Sequence, residues 1–179
     1  MSEDRVHVYE YFQYPESTRR MELVWGVVHE PPAPRWGHQS VVTRLTTLLD
    51  TYVRTNRFGH VCVSPIDVVL DEPRDLVVQP DIVFVSNERM AIVRQRVFGP
   101  PDLTVEVLSF GTAFRDRTEK LAWYRDYGVR EGWLVDPVRH TVEVFPFESR
   151  AEPRTFEVRE VIESFLLPGI DLHVGAIFE

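Results

Sequence analysis

The chain has 179 residues, 44% of them hydrophobic and 27% charged, with a formal net charge of -8. That length suits one globular domain with its own core, and the acidic balance argues against broad coating of nucleic acid, which relies on basic surface. A lone cysteine, Cys62, excludes an internal disulfide and a cysteine-based zinc site and fits a reducing cytoplasm.

The first segment, "MSEDRVHVYEYF", lacks the basic-then-apolar order of a signal peptide, and no apolar run approaches the roughly 20 residues of a membrane span. Residues 21–30, "MELVWGVVHE", are apolar and β-branched and predict a strand, which "PPAP" breaks. In "GHQSVVTRLTTLLDTYVRTNRFG" the spacing of Val41, Leu45, Leu48, Leu49 and Tyr52 predicts a helix ended by Gly59. Three apolar runs follow: "HVCVSPIDVVL", "LVVQPDIVFVS" and "DLTVEVLS", the first two joined by "DEPRD" as a hairpin-like turn. "FRDRTEKLAWYRDYG" predicts a second helix, with Phe114, Leu121 and Tyr124 on one face and Gly128 as the stop. "GWLVDP", "TVEVFPF" and "RTFEVRE" predict further strands before the closing "FLLPGIDLHVGAIFE". The order implies an α/β or α+β class, with helices flanking one mixed central sheet in a single domain spanning residues 1–179.

Two acids interrupt strands that otherwise read as buried. Asp81 shares a face with Val83 and Val85, and Glu106 shares one with Thr104 and Leu108, because side chains alternate along a strand. A carboxylate in such a place costs several kcal/mol unless it is paired, protonated or metal-bound. Asp102 lies on Glu106's own strand, about 13 Å away at the strand rise, whereas ligands of one Mg²⁺ converge within about 4 Å. Asp81, from a preceding strand that could pair alongside, can converge with Glu106; Asp67 is a weaker third candidate. Asp102 is read as a turn residue after two prolines. The competing reading of Asp81 and Glu106 is a structural ion pair each with a nearby arginine.

Lys120 is the only lysine among 20 basic positions. Arginine is a wide, permanently charged fork, whereas lysine is a compact ammonium whose pKa can fall on burial. A helical pair with Asp116, worth about 0.3 to 0.5 kcal/mol, would explain a basic residue here but not the choice of lysine.

The set "QPDIVFV", "PPDLTVEVLS", a lysine in the next helix and "YGVREGWLVDP" resembles the Uma-type restriction endonucleases, a bacterial branch of the PD-(D/E)XK phosphodiesterase superfamily. "RMELVWGVVHE", "GHQSVV" and "LLPGIDLHV" extend the resemblance over nearly the whole chain. It implies a restriction endonuclease-like fold and a phosphodiester hydrolase, with DNA as substrate and Mg²⁺ or Mn²⁺ as cofactor. It implies Asp81 and Glu106 as metal ligands, Glu22 in "RMELVWG" as a further one, and Lys120 as the catalytic amine. The superfamily's usual lysine slot holds Leu108, and "EVLSFGT" has Phe110 and Gly111 where Pro and Ser are expected. A homodimer follows only by analogy with enzymes that cut both strands of a duplex.

The remaining candidates are weighed by residue type. His38 heads the first helix and could support the site or touch phosphate, or be an ordinary helix-start histidine. The histidines show no paired zinc-ligand spacing. Trp123, Tyr124 and Tyr127 read as core or dimer contacts before base-stacking groups, and "RMAIVRQR" as a solvated loop or helix. Ser109 lacks a nucleophile-elbow pattern. The rival to the enzyme is a binding or interaction module that has the fold without the chemistry, favoured by the net charge and by Leu108.

Overall fold

The computed structural model describes residues 5–15, 18–109, 111 and 113–179. Short helix α1 (Val8–Tyr11) leads to strands β1 (Glu22–Val24) and β2 (Val27–His29), then to the long helix α2 (Trp36–Asn56). Strands β3 (Gly59–Val63), β4 (Val68–Asp71), β5 (Leu76–Val78) and β6 (Ile82–Ser86) follow, then a 3₁₀ segment (Asn87–Ile92), β7 (Val97–Phe98) and β8 (Leu103–Val107). A helical stretch comes next: α3 (Ala113–Arg115), a π turn (Asp116–Lys120) and α4 (Leu121–Tyr127). Strands β9 (Glu131–Asp136), β10 (Thr141–Phe145) and β11 (Arg154–Phe156), and helix α5 (Gly175–Phe178), complete the chain.

Two sheets form where one was expected. One has the order β2-β1-β5-β4-β7 and the other β11-β10-β9-β8-β6-β3. The reason lies in the two long apolar runs, each of which is two strands. The 60–70 run breaks at Ser64-Pro65, and the 76–86 run breaks at Gln79-Pro80-Asp81, where proline removes a ladder donor. At each break the chain crosses from one sheet to the other. Residues 21–30 are likewise a hairpin and not a single strand. Trp25 at φ 53° and Gly26 at φ 86° form a two-residue turn with both central residues left-handed, the geometry that matches hairpin twist.

The layers follow from alternation. In the six-stranded sheet Ile82, Phe84, Leu103, Val105 and Val107 face α2, whose Val41, Val42, Leu45, Leu49 and Val53 complete that core. Val83 faces the other way, into a second core with Val24, Val68, Leu76 and Val78 of the five-stranded sheet and Tyr124 of α4. Leu23, Val69 and Val77 pack on the far side of that sheet against Val8 and Tyr11 of α1. Asp81 and Glu106 therefore point into the layer between the two sheets.

Two local expectations shift. Helix α2 stops at Arg57, itself left-handed at φ 56°, whereas Gly59 opens β3. Glycine is required there by close approach, since a Cβ would lie 2.1 Å from the Val85 carbonyl oxygen. Gly128, at φ 91°, does end α4. Phe114, placed on the face of Leu121 and Tyr124, is 79% exposed. The π turn between them inserts an extra residue, which rotates the preceding turn by about 100°.

Asp102 stands at the bend before β8 and has a structural role there. It is fully buried, accepts from the Ser86 amide at 2.7 Å, and pairs with Arg130 at 2.9 Å and Arg89 at 3.6 Å. Asp102→Ala is expected to cost about 1–3 kcal/mol, because the Ser86 amide loses its acceptor. Chemical denaturation should show that loss, while Mn²⁺ binding stays at the wild-type level.

Candidate active site

Continuing the β6–β8 register, in which Ile82 opposes Val105 and Val83 opposes Thr104, sets Asp81 opposite Glu106. The Asp81 carboxylate reaches that strand directly: the Val107 amide donates to Asp81 Oδ2 at 2.7 Å. Glu22 arrives from β1, and its Oε1 accepts from the Gln79 amide at 2.9 Å. The three carboxylates, each almost fully buried, thus come from both sheets and meet beside the crossover at Gln79-Pro80-Asp81.

Lys120 closes the cluster from the helical stretch. It is 3% exposed, with Nζ 2.8 Å from Glu22 Oε1, 3.1 Å from Glu106 Oε1 and 3.7 Å from Asp116 Oδ1. The i,i+4 partner Asp116 is the most distant of the three. The π turn ends at Lys120, in keeping with the frequent placement of such turns at functional sites. Tyr124, one turn further along, donates to Glu106 Oε1 at 2.5 Å.

Two arginines and a histidine complete the balance. Arg20, 16% exposed, lies 2.6 Å from Asp81 Oδ1 and 3.9 Å from Glu106 Oε2, and also donates to the Gln79 carbonyl. Arg115 lies 2.8 Å from Glu22 Oε2. His38 projects from the buried face of α2, four residues before Val42, and sets Nε2 3.3 Å from Asp81 Oδ2. A cavity of about 490 Å³ opens on this side, lined by Asp81, His38, Arg20, Ser64 and the 31–34 proline segment.

The electrostatics follow from burial set against these partners. Burial pushes Glu106 up, Lys120 pulls it back, and Asp116 and Asp81 raise it again, leaving it at about 8. Burial also presses on Asp81, but His38, Arg20 and the Val107 amide together hold it below the usual carboxylate range. Glu22 ends below that range as well, through Lys120, Arg115 and the Gln79 amide acting against burial. Lys120 itself is not lowered. Burial favours the neutral amine, yet Glu106, Glu22 and Asp116 outweigh it and raise the pKa. The reason for lysine is therefore shape. A point-like ammonium fits between two buried glutamate oxygens where a planar fork would not.

The expected repulsion among unneutralised carboxylates is met by the protein's own cations, Lys120, Arg20 and Arg115. Among the described residues no three acidic, histidine or cysteine side chains converge as they stand to hold an ion. The arrangement still suits a divalent cation. Asp81 Oδ1 and Glu106 Oε2, from adjacent strands, already face one positive group, Arg20, and Mg²⁺ is commonly held by one or two carboxylates with waters and substrate phosphate. Asp67 does not join them; it pairs with Arg96 at 2.9 Å and takes the Gln79 side-chain amide at 2.9 Å. Phe110 lies outside the described residues.

Sequence reasoning missed Arg20, Arg115, Gln79 and the hydroxyl of Tyr124. Tyr124 had a signal, since it stands four residues after Lys120 and so shares its helical face. Gln79, two residues before Asp81, had only proximity. Nothing in "TRRMEL" separates Arg20 from Arg19.

A family model described as "Uma2: Putative restriction endonuclease" matches residues 8–175. The fold is also similar to the crystal structure of a putative nuclease belonging to DUF820 from Anabaena variabilis ATCC 29413. The TM-score is 0.81 at 20% identity over 97% of each chain. No curated protein matches the chain.

Proposed function

Because the chain belongs to the Uma2 family of putative restriction endonucleases, we propose that it is a cytoplasmic endonuclease that hydrolyses phosphodiester bonds in DNA with Mg²⁺ or Mn²⁺. The observation that carries this reading is the chain's lone lysine, buried against Glu22 and Glu106 next to an aspartate that faces an open cavity.

A divalent ion bound here would acidify a water and offset charge on the phosphate. Asp81 Oδ1 and Glu106 Oε2 would hold it, with Glu22 reaching it only on release from Lys120 or Arg115. The other oxygen of each ligand is already fixed, Asp81 Oδ2 by the Val107 amide and His38, Glu106 Oε1 by Lys120 and Tyr124. Each carboxylate is thus aimed, which is the work of groups behind a metal ligand. Lys120, kept protonated by its neighbours, acts as a fixed positive charge near the scissile phosphate and not as a base. The cavity lined by Asp81, His38 and Ser64 would receive the phosphate, and a homodimer would present two such sites to the two strands.

Titration of Mn²⁺ into the wild-type protein is expected to give saturable heat, and into Asp81→Ala none. Absence of heat with wild type would overturn the reading. It would favour a nuclease-fold binding module, for which one observation speaks: the carboxylates are already neutralised by Lys120, Arg20 and Arg115 without any metal.

A further inference from the structure

Asp81 and Glu106 each have one oxygen engaged by neighbours that hold it in place and one oxygen directed elsewhere. For Asp81 the engaged oxygen is Oδ2, which takes the Val107 amide at 2.7 Å and His38 at 3.3 Å. For Glu106 it is Oε1, which takes Lys120 at 3.1 Å and Tyr124 at 2.5 Å. The two remaining oxygens, Asp81 Oδ1 and Glu106 Oε2, face the same group. That group is the Arg20 guanidinium, at 2.6 Å and 3.9 Å.

We propose that Arg20 is a resident competitor for the metal position, a guanidinium that a divalent ion must displace from between Asp81 and Glu106 before the site can be loaded. The inference rests on the metal-dependent reading above and adds a residue outside the expected ligand set. An ion about 2.1 Å from both Asp81 Oδ1 and Glu106 Oε2 would take the place the guanidinium now holds between them, and two cations a few ångströms apart repel strongly in a poorly screened site. Arginine cannot leave by losing its proton, so it must move. The structure provides for that movement. Arg20 sits on the segment between α1 and β1, outside any helix or strand. Among the described residues its Nε has no hydrogen-bond partner, so two bonds, to Asp81 and to the Gln79 carbonyl, hold the guanidinium in place. The cavity of about 490 Å³ that it lines gives the side chain somewhere to go.

The test is calorimetric titration of Mn²⁺ into wild type, Arg20→Lys and Arg20→Gln, with the fold of each checked by circular dichroism. Glutamine keeps hydrogen-bonding capacity without charge, and lysine keeps charge without the fork. Removing a competing charge-assisted hydrogen bond is expected to tighten Mn²⁺ binding about 10- to 100-fold in Arg20→Gln. Arg20→Lys should fall between the two, and it carries the comparison alone if the glutamine variant does not fold. Equal or weaker binding in the variants, with wild type binding normally, would overturn the role of Arg20 and leave the metal site standing. No binding by any of the three proteins would overturn both.

Discussion

Replacing Lys120 by methionine is expected to destabilise the fold by about 3–5 kcal/mol, the usual cost of removing one partner from a buried ionic cluster. Methionine is close to lysine in length and fills the space, so a cavity term is small and the charge is what is lost. Glu22 keeps Arg115 at 2.8 Å, but among the described residues Glu106 keeps only Tyr124 and the more distant Arg20. Added Mn²⁺ should then raise the melting temperature of the variant more than that of wild type, because a cation that binds the folded state alone stabilises it by mass action. Lys120→Arg restores the charge but must force a planar fork between Glu22 and Glu106. It is expected to cost about 1–3 kcal/mol through overpacking and to cut weakly. Denaturant titrations in the presence and absence of Mn²⁺ check both. A Lys120→Met protein as stable as wild type would mean that the ammonium contributes nothing net to the cluster, and the account of the lone lysine would fail.

The sequence made the strand pattern around Asp81 and Glu106 legible because alternation is local. Two buried faces of apolar residues leave an acid nowhere to hide, and antiparallel pairing then sets the two opposite each other. The second sheet was not legible for a related reason. The 60–70 and 76–86 runs stay apolar through the points where the chain changes sheets, so hydrophobicity gives no sign of the change; only Pro65 and Pro80 mark it. The π turn was hidden because an extra residue in a helix alters which side chains share a face without altering composition, and Phe114 was misplaced accordingly. Arg20 was invisible for a third reason. It reaches the site from a segment with no helical or strand periodicity, and one arginine among so many carries no label. Local order could be read from residues, whereas charges delivered by loops across the fold could not.

Glu106→Gln is expected to lower Mn²⁺-dependent nicking of supercoiled plasmid by on the order of 1,000-fold, which corresponds to about 4 kcal/mol of transition-state stabilisation. The fold should survive, because the amide oxygen can still accept from Tyr124 and Lys120 in the place of Oε1. Its stability should also respond differently to pH. In wild type the folded-state pKa of Glu106, about 8, stands above the ordinary value of 4.5. Between those values the folded state binds more protons than the unfolded chain, so the contribution of this group to stability falls as pH rises through the window and levels off above it. Glutamine cannot titrate, so the variant should lose that slope and gain on wild type at the alkaline end. Asp81 and Glu22 have the opposite sign: their depressed pKa values give stability that is lost as pH falls, and they do so in both proteins. Denaturation of the two proteins at pH near 5.5 and near 8.5, roughly the two edges of the window, separates the effects. A variant that loses that slope yet nicks DNA at the wild-type rate would show a buried acid that tunes stability alone, and the phosphodiesterase reading would lose its central ligand.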